Sequence, residues 1–347
     1  MNDIHFDTVG RAGLITFTRP KALNALSWAM IEAMGEALEE WARDDRIERV
    51  AVRGEGKAFS AGGDIRYIFE NRDTAADYFA AEYVNNSRVA AFPKPYVALM
   101  DGIVMGGGVG VSMHGSHRIG TENLVFAMPE AGIGLVPDVG TTHLLANLAD
   151  RQGLLLALTG NRLGRDEASG LGLLTHPVNR ERLDDALDRV SEARVLDDAL
   201  TDLMVEVEPL DAEAGTFVAK TFDAPSVDRV LERLDDAVDE HPLAGPTVEK
   251  IRSKSPTSLK VAFEAQRRHG EGTVRDALVA EYRMVCRILE ADDLFEGIRA
   301  VVIDKDNAPR WSPAALEDVD EESVEAHFEP PEAGDIVLAD LSAMAAS

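Results

Sequence analysis

The sequence predicts an α/β fold for residues 1–180 and a mainly helical region over 181–329, and three observations carry that prediction. Short apolar runs such as 50–52 and 96–100 are bracketed by glycine and proline, the mark of buried strands. Between them lie segments whose apolar residues recur every three or four positions, so strands and helices alternate at the length of βαβ crossovers and imply a largely parallel sheet. Past about Arg180 the strand signal fades and long, highly charged helical patterns take over.

Each element has a local chemical cause. Residues 5–9 and 14–17 alternate polar and apolar side chains around Gly10 and Gly13, which reads as a hairpin, and Pro20 ends it. Asn24 is expected to cap a helix whose apolar stripe is Leu26, Met30, Ile31, Met34, Leu38 and Trp41. The strand 50–52 closes at Gly54 and Gly56, and 57–65 reads as a turn running into a helix. A second strand, 96–100, is followed by Gly106, Gly107 and Gly108, which open a small-residue helix through Ser112. Further on, helices are expected over 182–199, 227–240, 258–268 and 273–290, with one strand at 298–303. Residues 317–329 hold seven carboxylates and no Lys or Arg, and Pro330 and Pro331 lead into a tail, 330–347, expected to be mobile.

Composition narrows the function. With 62 Asp and Glu against 35 Lys and Arg, the formal charge is −27, which repels phosphate backbones and anionic lipid faces, so neither a nucleic-acid nor a membrane partner is expected. An anionic ligand on such a surface has to be held by local donors. Cys286 is the only cysteine, and neither an export segment nor an apolar run of about 20 residues is visible, so a cytoplasmic location is the expectation. The eight lysines beside 27 arginines fit a salt-adapted host or a GC-rich genome equally well.

Several familiar chemistries lack their residues. Gly110-Val111-Ser112-Met113-His114 misses the final glycine of a serine nucleophile elbow, Gly56-Lys57 is followed by Ala58 rather than Ser or Thr, and the glycine triplet at 106–108 lacks the register of a dinucleotide loop. His114 and His117 have no acidic or cysteine partner nearby in sequence, so no metal is expected. Two glycine-rich turns remain, 61–63 and 106–108, each placed between a strand and a helix. Such turns are either ordinary tight βα connections or a pair of backbone N–H donors for an oxyanion. Downstream, Glu130 and Asp138 are embedded in an apolar stretch rich in Gly and Pro that cannot be one continuous helix, an odd setting for carboxylates meant only for solvent.

Four separated motifs in order, Arg19-Pro20 with Asn24-Ala25-Leu26, Lys57 to Ile65, Met105 to Gly108 and Met128-Pro129-Glu130, resemble the crotonase (enoyl-CoA hydratase/isomerase) superfamily. The resemblance implies a ββα spiral that binds acyl-CoA thioesters, with the carbonyl oxygen between the N–H groups of Gly63 and Gly107. It also implies two glutamates for hydration, one matching Glu130 and the other falling at Gly110, which has no acid. Together with Asp138, the segments 82–86, 255–260 and 296–306 look instead like a thioester-hydrolysing branch of the superfamily, whose functional positions match Glu82, Gly107, Glu130 and Asp138. The implied reaction is hydrolysis of a short 3-hydroxyacyl-CoA, above all 3-hydroxyisobutyryl-CoA to 3-hydroxyisobutyrate and CoA, a step of valine catabolism. CoA is then part of the substrate and no separate cofactor is implied. The segment Gly62 to Arg66, with Gly62, Asp64, Ile65 and Arg66, is expected to meet the adenine side of CoA through backbone groups, Arg66 and Lys21 are expected phosphate contacts, and a homo-oligomer is possible for such a chain. Two alternatives stay open: a hydratase or isomerase acting on another acyl-CoA, and a non-catalytic CoA-binding subunit.

Overall fold

One repeated unit winds two sheets together in a computed structural model, which describes residues 3–341. The larger sheet is built from β1 (Ile4–Val9), β2 (Ala12–Phe17), β3 (Arg49–Gly54), β5 (Tyr96–Met100), β7 (His117–Gly120) and β9 (His176–Pro177), hydrogen-bonded in that order. The smaller holds β4 (Ala58–Ser60), β6 (Ile103–Met105) and β8 (Val125–Ala127). Only β1 and β2 run antiparallel; every other pairing of these strands is parallel. Each of β3, β5 and β7 thus hands the chain to a short strand of the smaller sheet, and a helical segment returns it. After β2 comes α1 (Trp28–Arg43); after β4, α2 (Ile65–Glu70) and α3 (Ala75–Ala90); after β6, the single turn α4 (Gly107–Gly110); after β8, a 3-10 turn (Glu130–Ile133) and α5 (Thr141–Ala146).

The apolar runs are continuous because the larger sheet is buried on both faces. Ile15, Val50 and Val52 point into the main core with α1 and α3, whereas Leu14, Ala51 and Val97 face a second cluster. That second cluster is closed by α8 (Leu183–Glu192) and α9 (Leu196–Leu200), after α6 (Gln152–Thr159) and α7 (Arg165–Gly170) have ended the spiral. The rest is helical: α10 (Ala212–Phe222), α11 (Val227–Asp236), α12 (Ala244–Arg252), α13 (Pro256–His269), α14 (Val274–Glu290), α15 (Asp293–Ile298) and α16 (Glu321–Glu325). Helices α13 and α14 pack on α5, and α14 also on α3, so this region closes over the spiral rather than hanging from it. No helix among the described residues is long and apolar enough to cross a membrane.

Several expectations are corrected. Asn24 does not cap α1; Ser27 does, through Met30 N, while Asn24 is fully buried at φ 55° and donates to the carbonyls of Glu55 and Ala58. The segment 182–199 breaks into α8 and α9, and the helix after Gly106 lasts one turn. Residues 298–303 form no strand: α15 ends there in a π-helical turn (Arg299–Ile303), because β-branched runs obey tertiary contacts as readily as propensity. The tail is docked through residue 341: Asp335 pairs with Arg283, Ser87 Oγ and Arg275 both donate to the Ala339 carbonyl, and Leu341 is buried. The remainder of the tail, 342–347, lies outside the described residues.

Candidate active site

Parallel strands end side by side, so the segments leaving neighbouring strands are delivered to one place. Strands β4, β6 and β8 are neighbours, and beyond their C-terminal ends stand Gly62-Gly63, Gly106-Gly107 and Pro129-Glu130. These ends touch. A Cβ placed on Gly62 would lie 3.3 Å from Gly107 N, one on Gly107 would lie 3.1 Å from Gly63 N, and one on Gly106 would lie 3.2 Å from Glu130 Oε1. Gly62 and Gly106 also sit at φ 110° and 50°, where side chains are strained. The N–H groups of Gly63 and Gly107 make no hydrogen bond among the described residues.

A cavity of about 680 Å³ opens onto these ends. Lys21, Gly62, Gly63, Ile65, Glu82, Gly107, Glu130 and Asp138 line it, so eight of the ten residues singled out from the sequence meet there. Asp64 and Arg66 do not. The Asp64 carboxylate caps α2 at Tyr67 N and pairs with Arg19, and the exposed Arg66 donates to the carbonyl of Val302, a residue of the cavity wall. Arg19 and Val302 are distant in sequence from these residues, so a motif cannot show the bonds.

Three carboxyls share the cavity wall with almost no water contact: Glu82 is 3% exposed, Glu130 5% and Asp138 3%. Burial pushes the Glu130 carboxyl well above the ordinary range, and the charge of Asp138 adds to it. Burial likewise raises Glu82, again helped by Asp138, to about 8. Asp138 is raised by burial to about 7, held back by the Tyr83 hydroxyl, which donates to its Oδ2 at 2.6 Å. Glu82 Oε1 and Glu130 Oε2 have no hydrogen-bond partner among the described residues. Glu82 Oε1 lies where a side chain on Gly107 would be, 2.1 Å from that ideal Cβ, so only glycine fits there. Position 110 is closed as well: a Cβ there would meet Asn86 Oδ1 at 2.7 Å and Val139 Cβ at 2.8 Å.

Sequence reasoning missed Tyr83, Lys254 and Lys305. Lys254 and Lys305 reach the cavity from the helical half, and with Lys21 they place three of the chain's eight lysines there, none in an ion pair among the described residues. The scarcity of lysine was the available signal. The His114 ring donates to the Val139 carbonyl and His117 bonds to Asp197, and no group of three or more His, Cys, Asp or Glu side chains that could hold a metal occurs among the described residues.

The profile of the enoyl-CoA hydratase/isomerase family matches residues 12–328. Among curated relatives, the mitochondrial 3-hydroxyisobutyryl-CoA hydrolase of Danio rerio is 38% identical over 97% of this chain and 92% of its own length. The Gallus gallus enzyme of the same name is 40% identical over 94% and 89%. Among solved structures, a carnitinyl-CoA dehydratase from Mycobacterium thermoresistibile superposes with a TM-score of 0.90 at 36% identity, covering 96% of this chain and 98% of that one. An enoyl-CoA hydratase from Rhodobacter sphaeroides gives 0.87 at 36% identity, covering 97% and 100%. These matches overturn the cytoplasmic expectation, since the curated relatives are mitochondrial enzymes and that expectation had rested on the single cysteine and on the lack of an export segment or a long apolar run.

Proposed function

The chain belongs to the enoyl-CoA hydratase/isomerase family, and from that premise we propose that it hydrolyses a short 3-hydroxyacyl-CoA thioester, 3-hydroxyisobutyryl-CoA first among candidates, as in valine catabolism. The observation that carries the proposal is the convergence, in one cavity, of two unpaired glycine N–H groups and the buried Glu130 and Asp138, with no acid at position 110.

The Gly63 and Gly107 N–H groups donate to the thioester oxygen as it turns negative, each contributing on the order of 10²–10³ in rate. Glu130 either attacks the carbonyl carbon, forming a mixed anhydride as CoA thiolate leaves and water then cleaves it, or takes the proton from a water that attacks directly. Asp138, held by Tyr83, orients the 3-hydroxyl or the water, and Glu82 meets the polar end of the acyl group. Lys21, Lys254 and Lys305 supply local positive charge for the CoA phosphates on a chain of charge −27. Mere CoA binding has no use for buried, partnerless carboxyls, which argues against a silent subunit.

A second reading, hydration or dehydration of an acyl-CoA, is favoured by the names of the two solved structures. The deciding experiment compares release of free CoA thiol from 3-hydroxyisobutyryl-CoA with loss of enoyl absorbance from crotonyl-CoA. Fast thiol release with negligible hydration is expected; the reverse ranking would make the chain a hydratase.

A further inference from the structure

The backbone just after Asp138 is bent against its own preference. Val139 has φ 55° and Gly140 φ 83°, two successive left-handed residues, the first β-branched. A β-branched residue in that region is an outlier that persists only where its surroundings over-determine it. Here they do. His114 Nε2 donates to the Val139 carbonyl at 2.6 Å, and Thr141 N and Oγ1 donate back to the Asp138 carbonyl at 2.9 and 2.6 Å. The remaining anchor comes from the far half of the chain: Glu281, on α14, accepts Gly140 N on Oε2 at 2.5 Å and Thr142 N on Oε1 at 3.0 Å, with the Thr142 hydroxyl also donating to Oε1.

Glu281 is completely buried, and no Lys or Arg among the described residues pairs with it. An acid in such a place is costly, and a helix start needs no acid from another helix; Ser, Thr or Asn at the cap would serve. The carboxyl offers something that these cannot: two acceptor oxygens, set to grip the turn on both sides of Thr141. We propose that Glu281 is a positioning residue for the reaction: through Gly140 and Thr142 it locks the left-handed turn that aims Asp138 into the cavity. The inference rests on the reading of Asp138 as a group that meets the substrate, and it gives the helical half of the chain a share in the chemistry.

Glutamine at 281 is nearly isosteric but turns one acceptor into a donor, which must then oppose a backbone N–H. The experiment measures kcat and KM for thiol release from 3-hydroxyisobutyryl-CoA with wild type, Glu281→Gln, Asp138→Asn and the double variant. Because a misplacement of about 1 Å costs on the order of 10², Glu281→Gln is expected to lower kcat by about 10- to 100-fold with KM nearly unchanged. In the Asp138→Asn background the same change should add less than about threefold, since the two residues then act as one unit. Equal losses in both backgrounds, or wild-type kcat in Glu281→Gln, overturn the inference and leave Glu281 a clip between helices. If Asp138→Asn is impaired and Glu281→Gln is not, this inference alone fails; if Asp138→Asn keeps full activity, the reading of Asp138 fails and takes the inference with it. Should Glu281→Gln not fold, Thr142→Val removes only the hydroxyl bond, and the same background-dependent loss is expected at about three- to tenfold; wild-type kcat in that variant overturns the inference.

Discussion

Glu82 holds its proton to a higher pH in the folded chain than in the unfolded one, because burial, with Asp138 beside it, raises its carboxyl from 4.5 to about 8. Between those values the folded state binds a proton the unfolded state has lost, so this residue lowers stability as the pH climbs through that window. Glu82→Gln should therefore stabilise the protein at pH 8 by on the order of a few kcal/mol and leave it nearly unchanged at pH 4. Denaturant melts at the two pH values check this; equal effects at both would mean that Glu82 is not the titrating group. Glu130 makes the complementary case in activity. Its Gln variant keeps size and one acceptor but loses the nucleophile or base, so kcat should fall by at least about 10³ while substrate still binds. Near-normal turnover would remove Glu130 from the chemistry. Because burial raises Glu130, Glu82 and Asp138 together, they lose protons as a coupled set, and kcat/KM should rise with pH toward a plateau near 7 to 8, the range set by Asp138 and Glu82. A flat profile from pH 5 to pH 9 would contradict that.

The short strands β4, β6 and β8 do more for the site than any helix, since their adjacent ends bring residues 63, 107 and 130 together. Both glycine turns and the carboxylates Glu130 and Asp138 were visible as sequence motifs; their adjacency was not, because parallel pairing links residues 22 to 45 positions apart. Helix α3 was not read from the sequence as an element; the resemblance marked Glu82 on it, and the bond from Tyr83 to Asp138 arises from packing. The one-turn α4 carries the hydratase question. Gly110→Glu supplies the acid that the family resemblance implies for hydration, yet its Cβ would stand under 3.0 Å from both Asn86 and Val139, the residue beside Asp138. We expect this variant to lose thioesterase activity by at least about tenfold, through displacement of Asp138, without gaining hydration of crotonyl-CoA. Measurable hydration would show that the space at 110 can open.

At the scale of the whole molecule, a charge of −27 loads the fold with like-charge repulsion. Self-repulsion among 62 carboxylates is screened as salt shortens the Debye length from about 10 Å at 0.1 M to about 3 Å at 1 M, so Tm should rise over that range. A Tm that falls with added sodium chloride would show that ion pairs outweigh repulsion. From the proposed role of the cavity lysines in holding the CoA phosphates, Lys254→Ala should raise KM by about three- to tenfold with little change in kcat, because a contact made equally in ground and transition state is lost. By itself the sequence determined the alternating α/β half and the helical second half, and it singled out the glycine turns, Glu130 and Asp138, because strand periodicity and turn chemistry are local properties; the spiral followed from the ordered motifs through the family resemblance. Tertiary structure alone decided that the side chains of Asp64 and Arg66 are taken up by Arg19, Tyr67 and Val302, that Lys254 and Lys305 line the cavity, that Tyr83 donates to Asp138, and that Glu281 grips the turn beside Asp138. Those outcomes depend on which buried groups share a dielectric and a hydrogen bond across more than 100 residues of chain in the case of Glu281, and no local pattern records that distance.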